Sequence, residues 1–255
     1  MCIRDRDNIF VLSVLIEKAR TNKMKGTCAA FIDMRKAYDM VDREKLWAVL
    51  QDKGINGTFL ELLKSMYKDS EIWVDINGSR TQDPVKPKRG LKQGCVLSPI
   101  LFSLYMNDLG RLLQETNLGI DLGDTNISCL MFADDICLIA KDKKCLQTLI
   151  DKTQEYAEKY GLEINPDKSE ILSLYEEAGN GPWPLRDQEG IVVADLKQVL
   201  KYKYLGIPLS FQHKNMFKYR GSNVLIQQIN LLEGSRVYQR NPLIDWRWLK
   251  HCGKM

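Results

Sequence analysis

Three aspartates stand where apolar runs end, and their carboxylates could do chemistry. Asp33 follows an apolar run at residues 28–32, and Asp134 and Asp135 join two further apolar runs. Carboxylates in such surroundings are costly unless a cation or hydrogen bonds satisfy them. Their hard oxygens suit Mg²⁺, which binds through one or two carboxylates plus substrate phosphates. Two such ions about 3.5–4 Å apart can activate an attacking oxygen and neutralise a leaving one. The alternative is that Asp134-Asp135 is only a polar turn, where aspartate is common.

The hydrophobic pattern predicts the strands that would position these acids. Residues 28–32 have the pattern of a buried strand that finishes at Asp33. Strands at 126–132 and 136–140 are joined by little more than residues 133–135, which predicts a tight hairpin with two acids at its tip. If these strands are neighbours in one sheet, the three carboxylates converge at its end.

Helices and further strands complete the pattern. Asp7 is predicted to cap a helix, and Asp42 to cap another that runs to Lys53 and is closed by Gly54. The remaining helices are expected at residues 58–68, 97–115 and 142–160, and the remaining strands at 71–76, 169–175, 191–194 and 202–205, with a hairpin signal at Asn77-Gly78. Two crossover helical segments followed by antiparallel hairpins favour an α+β fold with helices on one face of a sheet.

The composition excludes several classes of protein. Of the 255 residues, 44% are hydrophobic and 27% are charged, which is typical of a globular domain. The longest apolar stretch, residues 95–106, is shorter than the ~20 residues a membrane span needs, so no membrane partner is expected. The seven cysteines form no C-x-x-C pair and there are only two histidines, so structural zinc is not expected either. Scattered thiols are typical of a reducing, intracellular compartment.

Charge is distributed unevenly along the chain. Residues 196–255 carry 11 Lys and Arg against two acids, a net of +9. Residues 84–107 carry four basic side chains and no acid. A single basic run is usually a solvated face, but two basic zones around a carboxylate centre favour binding to a phosphate backbone.

Five motifs, in order, give the sequence a family resemblance. Residues 31–42, FIDMRKAYDMVD, resemble motif A of the reverse transcriptases of non-LTR, LINE-like retrotransposons. The others are similar to motif B at 89–99 (RGLKQGCVLSP), motif C at 132–135 (FADD, with Phe where Tyr is usual), motif D at 161–168 (GLEINPDK) and motif E at 204–206 (YLG). The five together cover about residues 7–210, and the spelling of motif B points to the non-LTR branch.

The resemblance implies a metal centre. Asp33 and Asp134 would ligate two Mg²⁺ ions, for which Mn²⁺ can substitute, and Asp135 would complete the carboxylate set. The backbone carbonyl of Met34 would be a further ligand. Tyr38 would be the aromatic gate that clashes with a ribose 2′-OH, although the sequence also allows it to be a half-buried core aromatic.

The resemblance also implies substrate contacts. Gln93 and Gly94 would line the nucleotide and template pocket, where a glycine lets substrate approach the backbone closely. Lys168 would assist the pyrophosphate leaving group, or would be an ordinary surface lysine. Tyr204, Leu205 and Gly206 would form the primer grip, or a plain hairpin.

The implied fold is a polymerase palm, an antiparallel or mixed sheet backed by helices, with truncated fingers and a partial helical thumb. Residues 1–6, MCIRDR, are interpreted as an adaptor-derived scar. Residues 7–212 would be the palm with residual fingers elements. Residues 213–255 would be the basic, mostly helical start of the thumb.

The implied function is that of an RNA-directed DNA polymerase, a nucleotidyltransferase. It would add deoxynucleoside triphosphates to the 3′-OH of a DNA primer on an RNA template, in the nucleus and cytoplasm of a eukaryotic host. One alternative is a truncated, catalytically inactive palm that only binds nucleic acid. A maturase-like or telomerase-like polymerase is a second alternative, which the motif B spelling disfavours.

Overall fold

The computed structural model describes residues 3–68, 70–77, 79–80, 83–173 and 181–209. These form two compact units. Among these described residues, the sheet unit comprises 3–34, 109–156, 164–173 and 181–209, and the helix unit comprises those between 35 and 108 together with 157–163. The predicted thumb segment 213–255 lies outside the described residues.

A five-stranded sheet is the centre of the sheet unit. Its strands are β1 (Cys28–Ile32), β6 (Cys129–Phe132), β7 (Asp135–Ala140), β8 (Glu170–Ser173) and β11 (Lys197–Val199). Their order in the sheet is β11-β8-β1-β7-β6, and all neighbours are antiparallel except β11 and β8. Every residue of β1 is buried, and β7 and β8 pair with its two edges. The predicted mixed sheet is therefore confirmed, and β1 has the predicted bounds.

Helix α1 (Ile3–Thr21) precedes β1 in the chain, and helix α6 (Lys143–Tyr160) lies between β7 and β8. Leu12 and Leu15 of α1 share one hydrophobic core with Phe31 of β1 and Ile139 of β7. The predicted start of α1 at Asp7 is wrong, since the helix begins at Ile3. Residues 1–8 contain no Gly or Pro that would stop it.

Three two-stranded hairpins complete the sheet unit. They are β4 (Ile120–Leu122) with β5 (Thr125–Ile127), β9 (Pro184–Arg186) with β10 (Val192–Asp195), and β12 (Tyr202–Tyr204) with β13 (Ile207–Leu209). The predicted continuous strand 126–132 is wrong, because its first residues pair with β4. Ser128 separates the two parts, where its buried hydroxyl donates a 2.8 Å hydrogen bond to the Leu113 carbonyl.

The helix unit contains α2 (Ala37–Met40), α3 (Arg43–Asp52), α4 (Gly57–Lys68), most of α5 (Ser98–Glu115) and the short strands β2 (Asp75–Ile76) and β3 (Ser79–Arg80). The carboxylate of Asp42 accepts the Glu44 and Lys45 amides at 3.0 and 3.2 Å, so the predicted cap is confirmed. The predicted strand 71–76 is mostly wrong. Ile72, Trp73 and Val74 are all exposed, so no core face extends the ladder.

Among the described residues, no helix combines the length and the apolar composition that a membrane-spanning helix requires.

Candidate active site

The register of β1 against β7 brings two distant aspartates together. Ile32 lies opposite Ile136 in the antiparallel pair. Asp33 follows the first of these residues and Asp135 precedes the second, so both acids stand at the same end of the sheet.

The β6–β7 hairpin adds the third acid. Phe132 pairs with Asp135, which leaves Ala133 and Asp134 as a two-residue turn. Ala133 has a left-handed φ of 52°, an unusual conformation for a residue with a side chain. The three predicted carboxylates thus stand at the same end of the sheet, and each of these residues is half-buried.

The electrostatics of this cluster fit a divalent cation. Burial raises the pKa of Asp135, and the charges of Asp134 and Asp33 raise it further. Neighbouring carboxylates repel one another, and hard oxygen donors of this kind are the ligands that Mg²⁺ takes. In the parts of the chain that the structure describes, no three His, Cys, Asp or Glu side chains are already gathered closely enough to hold a metal ion.

A turn at residues 165–169 holds Asp33. The Asn165 amide donates from Nδ2 to Oδ2 of Asp33 at 3.2 Å, and its backbone N–H donates to the Asp33 carbonyl at 2.8 Å. The Asp33 N–H donates to Oγ of Ser169 at 3.0 Å. Neither Asn165 nor Ser169 had a role from sequence, although Asn165 lies within motif D and Ser169 directly follows it. Lys168 is exposed on the same turn.

Met34 lies directly after the first aspartate. It forms an isolated antiparallel bridge with Ile164. In that bridge, the Arg35 N–H donates to the Glu163 carbonyl, and the Asn165 N–H donates to the Asp33 carbonyl. Neither bond uses the Met34 carbonyl, the group predicted to be a ligand.

Two tyrosines of the β12–β13 hairpin pack against β1, the strand that ends just before Asp33. Tyr202 stacks on Phe31 with ring centroids 4.1 Å apart and planes 14° from parallel. Burial, followed by the charge of Asp135, raises the pKa of Tyr202 to about 12. Tyr204 is buried in the core and tilts against Phe31 at 5.3 Å. Sequence reasoning missed Tyr202, which lies two residues before motif E.

The predicted primer grip is the tip of this hairpin. Tyr204 pairs with Ile207, so Leu205 and Gly206 form the turn, with φ values of 45° and 84°. Gly206 is exposed, whereas Tyr204 faces the core. Within this motif, the turn rather than the tyrosine is open to a ligand.

The helix unit contains the predicted nucleotide contacts. The Tyr38 ring is half-buried and stacks on Phe102 at 4.7 Å. Gln93 is exposed and its side chain donates to the Asp39 carboxylate at 3.0 Å. Gly94 is exposed with a φ of 79°, and a Cβ at this position would meet no atom within 4 Å. The unit therefore joins the segment of motif A after Met34 to motif B.

Arg43 fixes the loop that leads into motif B. Its guanidinium donates to the carbonyls of Gly90 and Pro87, both at 2.9 Å, and lies 5.0 Å from the centre of the Tyr67 ring. Burial lowers the pKa of Arg43. Gly90 also donates from its N–H to the Val41 carbonyl at 2.8 Å. Sequence reasoning assigned no role to Arg43, because a basic residue in the first turn of a helix carries no distinctive signal.

Comparison with protein families identifies the chain. Residues 3–209 match the family described as Reverse transcriptase (RNA-dependent DNA polymerase). The chain belongs to the reverse transcriptase family. The resemblance predicted from the five motifs is therefore confirmed, and the family as a whole uses divalent metal ions.

Curated relatives of this reverse transcriptase are proteins of non-LTR elements. The Pol polyprotein of the type-1 retrotransposable element R2 of Nasonia vitripennis is 29% identical over 209 residues, which are 79% of this chain and 20% of the relative. The transposon TX1 149 kDa protein of Xenopus laevis is 34% identical over 170 residues, covering 65% and 13%. The polymerase of the mobile element jockey of Drosophila funebris is 27% identical over 208 residues, covering 78% and 21%. The chain spans about a fifth of the length of the first of these relatives.

Solved structures show the same fold. Apo telomerase from Candida tropicalis superposes with a TM-score of 0.56 at 17% identity, covering 88% of this chain and 40% of the telomerase. A form truncated from its C-terminal domain gives 0.55 at 19% identity, covering 80% and 38%. The predicted palm-like α+β fold of this reverse transcriptase is confirmed.

Proposed function

We propose that this domain catalyses RNA-templated DNA synthesis, in which a primer 3′-OH attacks the α-phosphate of a deoxynucleoside triphosphate and pyrophosphate leaves. The observation that carries the proposal is the placement of Asp33, Asp134 and Asp135 at the same end of the sheet. Its partners would be an RNA template and a DNA primer, and its setting the nucleus and cytoplasm of a eukaryotic host. Membership of the reverse transcriptase family supports this reaction.

Two Mg²⁺ ions would be held by the carboxylates of Asp33 and Asp134 and the carbonyl of Met34, with Asp135 completing the set. When bound, such ions activate the attacking hydroxyl and neutralise the leaving group. Burial raises the pKa of Asp135 and the charges of Asp134 and Asp33 raise it further; this repulsion supports the assignment, because a cation would relieve it. Since no three such side chains are gathered among the described residues, the carboxylates would close on the ions as they bind.

The helix unit would bind the incoming nucleotide. The stack on Phe102 holds the Tyr38 ring, so the ring could exclude a 2′-OH without moving. Gln93 and the open space at Gly94 would receive the base and the template. Lys168, exposed on the turn that holds Asp33, would protonate or pair with the leaving pyrophosphate.

A matched pair of hairpin substitutions tests the proposal. Asp134 is the second residue of the Ala133-Asp134 turn, and Asp124 is the second residue of the Gly123-Asp124 turn of the β4–β5 hairpin. Asp134→Asn should reduce primer extension on an RNA template at least about 100-fold, the loss typical when a group that stabilises the transition state is removed. Asp124→Asn removes a similar charge from a similar turn and should leave extension unchanged.

The outcomes separate the alternatives. Extension that survives Asp134→Asn contradicts the mechanism. A wild-type chain that binds RNA in a salt-dependent way but extends no primer supports the alternative of an inactive palm.

Replacing Tyr38 with alanine should allow ribonucleotides to be incorporated, and the ratio of kcat/KM for deoxyribonucleotides and ribonucleotides measures that effect.

A further inference from the structure

The turn at residues 165–169 contacts three of the four polar atoms of Asp33. The aspartate N–H donates to Ser169 Oγ at 3.0 Å, its carbonyl accepts the Asn165 N–H at 2.8 Å, and Oδ2 accepts Asn165 Nδ2 at 3.2 Å. The turn is itself closed by the Ser169 N–H, which donates to the Asn165 carbonyl at 3.0 Å. Main chain and side chain of one aspartate are therefore held by a single element.

The surroundings of the turn make these contacts specific. Ser169 is fully buried, so its hydroxyl meets Asp33 out of water, where a hydrogen bond left unmade is most costly. The amide oxygen of Asn165 accepts the Asp167 N–H at 3.3 Å, which fixes which end of the amide is the donor. The NH₂ group therefore faces the carboxylate, because the opposite orientation would set two oxygens against each other.

We propose that Asn165 and Ser169 are positioning residues that orient the Asp33 carboxylate and leave Oδ1 as its metal ligand. The NH₂ group of Asn165 donates to Oδ2 of Asp33 and carries partial positive charge, which disfavours the binding of a cation to that oxygen. The second oxygen has no such donor from the turn. This inference rests on the proposed function, since it assumes that Asp33 binds a divalent ion.

Orientation of this kind should appear as metal affinity. A carboxylate already held in one rotamer loses less freedom when it binds, and removal of an outer partner of a metal ligand commonly costs ~10–100-fold in affinity. Asn165→Ala removes the side-chain donor but keeps the backbone N–H bond to the Asp33 carbonyl. It therefore tests the orientation of the carboxylate apart from the path of the chain.

The sheet unit offers a matched control. Asn126 Nδ2 donates to Asp121 Oδ1 at 2.7 Å, and its amide oxygen accepts the Gly119 N–H at 2.9 Å. The side chains of Asn126 and Asn165 thus make the same two kinds of hydrogen bond. Asn126→Ala breaks such a pair in the β4–β5 hairpin and leaves Asp33 untouched.

The experiment measures Mn²⁺ binding to the whole chain by the loss of the free-ion paramagnetic resonance signal, without any substrate. Asn165→Ala should raise the Kd for Mn²⁺ about 10-fold or more, while Asn126→Ala should bind as the wild type does. In primer extension the same substitution should raise the Mg²⁺ concentration at half-maximal rate more than it lowers the rate at saturating Mg²⁺. If Asn165 has only a structural role, Asn165→Ala should lower the urea midpoint of unfolding, as Asn126→Ala should, and should leave the Kd for Mn²⁺ unchanged.

The result separates this inference from the proposed function. Unchanged Mn²⁺ affinity in Asn165→Ala, beside a loss of affinity in Asp33→Asn, overturns the positioning role alone. No binding by the wild type, or equal binding by Asp33→Asn, overturns the metal centre and the positioning role together.

Discussion

Replacing Gly90 with alanine should destabilise the helix unit much more than the same change at Gly54. Both glycines have left-handed backbones, with φ values of 87° and 83°. A Cβ on Gly90 would lie 2.8 Å from the carbonyl oxygen and 3.0 Å from the Cα of Asp39. A Cβ on Gly54 would meet nothing within 4 Å. The pair therefore separates backbone strain from steric overlap.

The magnitude follows from these contacts. An alanine in the left-handed conformation destabilises the folded state by ~1–2 kcal/mol. The lower entropy of its unfolded chain offsets ~0.4–1 kcal/mol of this, so Gly54→Ala should lower the free energy of unfolding by about 1 kcal/mol. At Gly90 the overlapping atoms belong to the backbone and cannot rotate away, which adds ~1–3 kcal/mol. Gly90→Ala should therefore lose about 3 kcal/mol. With a urea m-value of ~2 kcal/mol/M, the two midpoints should differ by about 1 M.

Hydrogen exchange at increasing urea concentration measures this difference locally. Peptides that cover α3 report on the helix unit, because Asp42, which caps α3, is only three residues after Asp39, the residue that Gly90 contacts. Equal midpoints for Gly90→Ala and Gly54→Ala would show that the close approach to Asp39 does not matter and would refute the reasoning. A further consequence concerns substrate. The Gly90 loop leads to Gln93, so Gly90→Ala should also raise the KM for the nucleotide.

Three further predictions concern other side chains. Because burial raises the pKa of Tyr202 from 10.0 to about 12, its contribution to stability is present below pH 10 and lost towards pH 12; Tyr202→Phe should flatten that decline in urea titrations, and an unchanged decline would contradict it. Arg43→Lys should lower the free energy of unfolding by ~1–3 kcal/mol, because an ammonium cannot reach several carbonyls at once; wild-type stability would contradict this. Cys95, whose pKa is lowered by hydrogen bonding from a backbone N–H two residues on, should react with iodoacetamide well before Cys28, whose pKa burial raises. Mass spectrometry of the labelled peptides would reveal the opposite order.

Much of the arrangement of the acids could be predicted from local sequence. The run at residues 28–32 is apolar throughout because all of β1 is buried, so the change to a charged residue at Asp33 predicts where the strand ends. The hairpin at residues 133–134 was predictable because two apolar runs stood too close for any other connection. That the two strands are neighbours followed only from the family resemblance.

The supporting contacts could not be predicted in the same way. The hydrogen bond from Asn165 to Asp33 joins side chains 132 residues apart, and a polar turn carries no periodic signal. Ser128 divides a run that looks continuous, because its hydroxyl donates to the Leu113 carbonyl near the end of α5, a contact that the apolar pattern does not indicate. Tyr202 lay in a predicted strand, but only the stack on Phe31 reveals its orientation.

The central place of β1 in the sheet has a consequence for synthesis on the ribosome. Its neighbours β7 and β8 both begin more than 100 residues later in the chain. At ~5–20 residues per second, this strand waits about 5–20 s before either partner is made. During that interval α1, already translated, can cover the face with Ala29 and Phe31, whereas β7 and β8 are not yet there to pair with its edges, which stay open to other chains. Newly made protein should therefore depend on chaperones until translation has passed residue 173.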